Sequence, residues 1–170
     1  MTMQRSFQAL IVPVLFFVAV FFAAAQFSAG ELPSKKVLSL DAAKQVAAAA
    51  EKHARENKWN VCIAIVDDGG HLIYFQRMDG TQYGSILVSQ RKAETAIGFK
   101  RPSKTFEEGI AGGRNALLAL PSATPLEGGI PLVADGEMIG AIGVSGVTSQ
   151  QDGQIAQAGA DALASIAGKK

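Results

Sequence analysis

Apolar positions recur along the chain with different periods, and each period predicts a kind of element. Between Leu40 and Asn57, Val46, Ala49, Ala50 and His53 fall at i, i+3, i+4 and i+7, while Lys44, Glu51, Lys52 and Arg55 take the other side. An Ala-rich helix is expected there, opened beside Ser39 and Asp41 and carrying His53 on its apolar stripe. Val61 to Val66 is continuously apolar and partly β-branched, and after Asp67-Asp68-Gly69-Gly70 the chain resumes as a strand from His71 to Met78. This pattern predicts a β-hairpin. A period of two puts His71, Ile73, Phe75 and Arg77 on one face of its second strand and Leu72, Tyr74, Gln76 and Met78 on the other. A strand apolar on both faces must be covered on both, by helices of the same chain on one side and by another layer or subunit on the other. Self-association into a homo-oligomer is therefore expected.

Ser85 to Phe99 carries Ile86, Ala93 and Ile97 at helical spacing and is stopped by Gly98 and Pro102. Phe106 to Leu120 predicts a further short helix weakened by Gly109, Gly112 and Gly113, and Pro121 to Gly129 reads as loop. Ile130 to Ala134, the turn Asp135-Gly136, and Glu137 to Ser145 form a second hairpin. Its return strand carries Gly140, Gly143 and Gly146, read first as seats for close helix packing and second as places where a ligand approaches. Gln154 to Ala167 closes the chain as a helix with Ile155, Gly159, Ala162 and Ile166 on one stripe. Two hairpins among helices predict an α+β class with an antiparallel sheet flanked by helices.

The apolar run Ala9 to Ala25 follows Arg5, the only charge in the first thirty positions, and ends with Ala23 and Ala25 placed as the −3 and −1 residues of a cleavage site. It reads as a secretory signal peptide over residues 1–25, with a second cut available after Gly30; a retained membrane anchor is the alternative. A linker spans residues 26–37, including Pro33-Ser34-Lys35-Lys36, and one domain spans 38–168. The expectation is a periplasmic or secreted protein, off the membrane once the segment is cut. Basic and acidic residues nearly balance at 16 and 15, which leaves no general attraction for nucleic acid.

The only cysteine, Cys62, lies in a strand and reads as a small buried hydrophobe, so the core must stabilise the fold without a disulfide. There is no CxxCH, CxxC, HExxH, P-loop or GxGxxG, and Gly143-Val144-Ser145-Gly146 lacks the fifth position of a serine-hydrolase elbow. Any cofactor is then held non-covalently. Ser89-Gln90-Arg91-Lys92 matches S-x-x-K without its companion motifs and reads as a helix surface. The two histidines, His53 and His71, are the candidate metal ligands. Arg77-Met78-Asp79-Gly80 and the cluster Lys100-Arg101 with Lys104 could hold a small apolar ligand bearing carboxylates; an Arg77–Asp79 ion pair is the alternative reading. Asp67 and Asp68 read as turn residues, and Glu107 and Glu108 as a helix start.

Several ordered stretches carry a family resemblance: Val66-Asp67-Asp68-Gly69-Gly70-His71-Leu72, Arg77-Met78-Asp79-Gly80, Lys92-Ala93-x-Thr95-Ala96, Gly128-Gly129-Ile130-Pro131-Leu132, Ile139 to Gly146, and Gln151-Asp152 with Ala158-Gly159. Together they resemble the GlcG/HbpS-like haem-degrading or haem-binding superfamily, which extends to the C-terminal domain of PduO-type corrinoid adenosyltransferases. The resemblance implies a profilin-like antiparallel sheet of about five strands flanked by helices, a homo-oligomer, and non-covalently bound haem. The resulting expectation is a haem-binding protein of carrier or sensor type. His53 or His71 would be its axial ligand, Arg77 and Arg101 would pair propionates, and Tyr74, Phe75 and Met78 would give apolar contact. An enzyme degrading haem or acting on a small organic acid near Arg77 and Asp79, and a structural module without ligand, are the alternatives. Binding leads because no organised nucleophile–base pair stands in the sequence.

Overall fold

The computed structural model of the chain describes residues 32–167. The expected signal segment, both cut sites and the first part of the linker lie outside these residues. Residues 32–37 carry no regular element and are exposed.

Helix α1 (Leu40–Glu56) opens at Ser39, whose hydroxyl accepts the Ala42 amide at 3.2 Å and satisfies one of the donors that a helix start leaves free. Strands β1 (Cys62–Asp67) and β2 (Leu72–Arg77) form the first hairpin, and β3 (Gly129–Ala134) and β4 (Glu137–Ser145) the second. In the second turn Asp135 and Gly136 both take positive φ, 49° and 82°, as the tight turn that follows strand twist requires. Helix α2 (Gly84–Gly98) lies between the hairpins, followed by α3 (Lys104–Ala111) and a 3-10 turn at Asn115–Ala119. The single helix expected over Phe106–Leu120 is thus broken in two, because Gly113 adopts φ 91° and reverses the chain. Helix α4 (Ser149–Ala167) starts five residues before the Gln154 expected from its pattern. Thr148 and Gln151 exchange side-chain and amide hydrogen bonds there, in the reciprocal arrangement of a capping box.

The sheet is antiparallel throughout, in the order β2-β1-β4-β3. It has four strands rather than about five, since the chain between α2 and β3 is spent on α3, the 3-10 turn and loop. Ile63 and Ile65 of β1 pair with Val144 and Ile142 of β4 and join Val46 and Ala50 of α1 and Ile155 and Leu163 of α4 in the main core. The opposite face is made of small residues. Ala64, Gly143 and Gly129 form a row across β1, β4 and β3, and the backbone of α2 lies on it: a Cβ at Gly143 would stand 2.0 Å from the Ser89 carbonyl oxygen, and one at Gly129 2.1 Å from that of Lys92. Gly143 and Gly129 are therefore seats for a helix, the first of the two readings above, whereas Gly140 lies against the Val66 backbone and Leu38, and Gly146 against Asn60 and Val61.

This close approach overturns the surface reading of Ser89 and Lys92. Both face the sheet, with 0% and 2% of their surface exposed. Lys92 passes the ends of β3 and β4 to donate from Nζ to the Asp152 carboxylate at 2.7 Å and to the Val144 carbonyl at 3.1 Å. Asp152, in the first turn of α4, also accepts the Val147 amide at 3.2 Å. Burial pushes its carboxyl up, and the Lys92 ammonium only partly offsets this. Gly128 covers the pair at φ 125°, where any Cβ would meet Val144, Asp152 and Lys92 within 3.0 Å. One ion pair thus ties the helix on one face to a helix on the other.

Two outcomes are expected from urea unfolding of the protein. Asp152→Ala leaves the Lys92 ammonium buried and alone and costs about 3–5 kcal/mol, much of which is regained in Lys92→Met/Asp152→Leu. Gly143→Ala must push α2 off the sheet and costs about 3 kcal/mol, through an overpacked contact with backbone that has no rotamer to yield.

Candidate functional site

The first hairpin turn is built around one carboxylate. Asp67 Oδ1 accepts the amides of Gly69 at 2.9 Å and His71 at 2.8 Å, while Gly70 takes φ 84° to close the turn. Burial pushes the Asp67 carboxyl up, but the amides of His71 and Gly69 and the His71 imidazole together outweigh it and hold the carboxyl below its usual range. His71 Nδ1 stands 3.3 Å from Asp67 Oδ1, and 84% of the side chain is exposed. The imidazole is thus oriented through one nitrogen and leaves Nε2 facing solvent.

Beside this turn the second hairpin turn and the C-terminal end of α2 converge, and Gly70 packs toward Ile97. Asp68, Ile97, Lys100, Glu137 and Met138 line a groove of about 490 Å³ between them. The acids at its rim are matched by the linker: Lys35 pairs with Asp68 at 2.6 Å, Lys36 pairs with Asp135, and the Lys36 amide reaches Glu137. Lys100 forms no ion pair among the described residues. The groove therefore combines an apolar strip with an available cation, and the exposed His71 imidazole stands in the turn beside it rather than in its lining, a set that suits an apolar anion.

The remaining expected site residues lie elsewhere. His53 sits near the end of α1 with its ring 6.2 Å from that of Trp59, and its Nε2 is buried with no hydrogen-bond partner. Because α1 feeds the start of β1 and His71 follows its end, the two histidines stand at opposite ends of a six-residue strand, about 20 Å apart. One chain does not present both to one metal. Arg77 lies at the same far end as His53, its guanidinium 4.7 Å from the centre of the Tyr83 ring, and it makes no ion pair with Asp79. Met78 is 5% exposed in the main core, and Tyr74 packs against the same core. The strict alternation expected for β2 fails because a bulge opposite Ile65/Val66 inserts Ile73, so that Leu72 and Phe75 share the α2 face while Ile73 and Tyr74 pack against the main core. Arg101 lies one residue beyond Lys100, with its guanidinium 5.9 Å from the Phe106 ring, and lines a separate pocket with Arg114. Cys62 is fully buried, and burial raises its thiol, so it stays a protonated hydrophobe. The Glu137 rim and Arg114 were not singled out from sequence, since each becomes part of a site only through a turn or chain reversal.

Residues 38–161 match the family model described as haem degrading protein HbpS-like. Protein GlcG of Escherichia coli (strain K12) is 45% identical over 114 residues, covering 67% of this chain and 85% of that protein. A double mutant of Streptomyces reticuli HbpS superposes with a TM-score of 0.72 at 34% identity, over 79% of this chain and 92% of that one. A crystal structure of a PduOC:heme complex gives a TM-score of 0.67 at 28% identity, over 75% and 95% of the two chains.

Asp67→Ala removes the acceptor of two amides and lowers stability at neutral pH by about 1–2 kcal/mol. Because the folded carboxyl is held low, its contribution is present above the ordinary carboxylate range and lost as pH falls through the depressed value. The gap between wild type and variant, read from urea midpoints, should therefore narrow as pH falls from neutral through the depressed carboxyl range.

Proposed function

Since the chain belongs to the HbpS-like family of haem-degrading proteins, we propose that it is an exported, homo-oligomeric protein that binds haem non-covalently through His71. The observation that carries this reading is the contrast between the two imidazoles. His71 is exposed, with one nitrogen turned to a carboxylate and the other free, which is how metal-binding histidines are commonly oriented. The Nε2 of His53, by contrast, is buried away from solvent without a hydrogen-bond partner.

Lys100 is placed to pair a propionate, while Ile97 and Met138 offer apolar contact to the macrocycle. Bound haem supplies a redox-active iron; the chain supplies a ligand, charge pairing and partial cover. The groove is open and would leave part of a bound tetrapyrrole in water. Leu72 and Val133, 49% and 42% exposed, leave apolar positions at this end of the two opposite edge strands for a second copy to cover. This supports self-association. Export is supported by the uncharged run Ala9 to Ala25 and the small residues that end it. The haem complex of the PduOC relative makes haem the ligand to test first.

The test is a haemin titration of the purified protein, followed by Soret absorbance, beside His71→Ala and His53→Ala. A saturable shift is expected, weakened at least about tenfold in His71→Ala through loss of the axial bond and kept in His53→Ala. A shift that survives loss of both histidines overturns the ligand assignment, and an unshifted, unsaturable band overturns haem binding.

A further inference from the structure

Where α2 ends and the chain reverses around Gly113, a second pocket forms that the groove beside His71 does not use. Its floor is aromatic: Phe99 and Phe106 meet edge to face with ring centres 5.1 Å apart, and Phe106 is 4% exposed. Leu117 and Leu120 of the 3-10 segment close one wall of a cavity of about 220 Å³. That wall is seated by Gly109, where a Cβ would lie 2.6 Å from Leu117. The φ of 91° at Gly113 then brings Arg114 to the rim, with its amide held by the Gly109 carbonyl at 2.9 Å.

Arg101 and Arg114 both line this pocket, the Arg101 guanidinium 5.9 Å from the centre of the Phe106 ring, and neither arginine forms an ion pair among the described residues. Arg101 donates from Nε to the Phe99 carbonyl at 3.1 Å, which leaves its terminal nitrogens available. The acids nearest in sequence are engaged elsewhere: Glu107 accepts the Glu127 amide, and Glu108 lies 3.8 Å from Lys104. Unpaired guanidinium groups above an aromatic floor match a carboxylate joined to a flat apolar body, because the fork geometry of Arg pairs both oxygens while the rings take the remainder. From this arrangement we infer that the pocket between α2, α3 and the 3-10 turn binds a small aromatic monocarboxylate, with Arg101 and Arg114 pairing the carboxylate and Phe99 and Phe106 contacting the ring. The cavity is less than half the volume of the groove beside His71, and its ligand is correspondingly smaller than a tetrapyrrole.

The probe is 3-phenylpropionate, titrated calorimetrically into the purified protein beside the uncharged 3-phenylpropanol. Saturable binding of the acid is expected, about tenfold or more weaker for the alcohol and in each of Arg101→Ala and Arg114→Ala, since each change removes a charge-assisted pair. Haemin binding by Arg114→Ala should match wild type. The inference is overturned if the acid does not saturate, if the alcohol binds as tightly, or if both variants stay within about twofold of wild type. It is also overturned if Arg114→Ala loses haemin together with the acid, which would make the pocket part of the haem site. Binding of the acid by a wild-type protein that does not take haemin sinks the haem reading and leaves this one standing.

Discussion

The buried ion pair between Lys92 and Asp152 is the contact on which the arrangement of layers depends. A charge removed from water is costly unless it is paired and its remaining valences are filled. Lys92 is paired, with two of its three donors used, only with α2 pressed on the sheet and α4 starting beside β4, because its partners are the Asp152 carboxylate and the Val144 carbonyl. The cover is specified too, since Gly128 leaves no room for a Cβ above the pair. The pair thus stabilises one register of two helices on opposite faces of the sheet, where hydrophobic contact alone would tolerate sliding.

Small residues make that register possible. The row of Ala64, Gly143 and Gly129 lets the α2 backbone lie against the strands, and polar side chains of α2 are then used as ties rather than left to solvent. Thr95 accepts the Thr124 amide at 2.8 Å, and Ser103, just past α2, accepts the Gly129 amide at 2.8 Å and donates to the Leu126 carbonyl at 2.6 Å. The loop before β3 is therefore held without a strand of its own. Its anchoring leaves the C-terminal end of α2 beside the first hairpin turn, where Ile97 and Lys100 meet Asp68.

Function follows from which end of the sheet each group occupies. The end that carries the Asp67–His71 turn gathers a free imidazole nitrogen, an unpaired lysine and exposed apolar residues. At the other end Arg77 is taken up by Tyr83 and His53 by Trp59, so the polar groups there serve packing. Family membership fits this division: the resemblance in the first hairpin turn includes Asp68 of the groove and the His71 beside it, while Gly128-Gly129 and Asp152 belong to the buried tie between layers.

By itself the sequence determined the element types, the antiparallel hairpins and the family, because these rest on local periodicity, turn chemistry and motif order. The Asp135-Gly136 turn and the Ser39 cap are examples: each satisfies its own backbone within a few residues. The broken helix at Gly113 and the early start of α4 at its capping box had local signals too, in a glycine pair and a Thr-x-x-Gln spacing. Only the tertiary structure decided that Lys92 is buried, that a bulge sends Leu72 and Phe75 to one face, and that His53 and His71 stand at opposite ends of a strand. Helical periodicity ranks a lysine by its charge, and its partner lies 60 residues away in sequence, so no local pattern registers the pair. A site assembled from two turns and a helix end is likewise a matter of which ends of the elements coincide, and that is settled by packing.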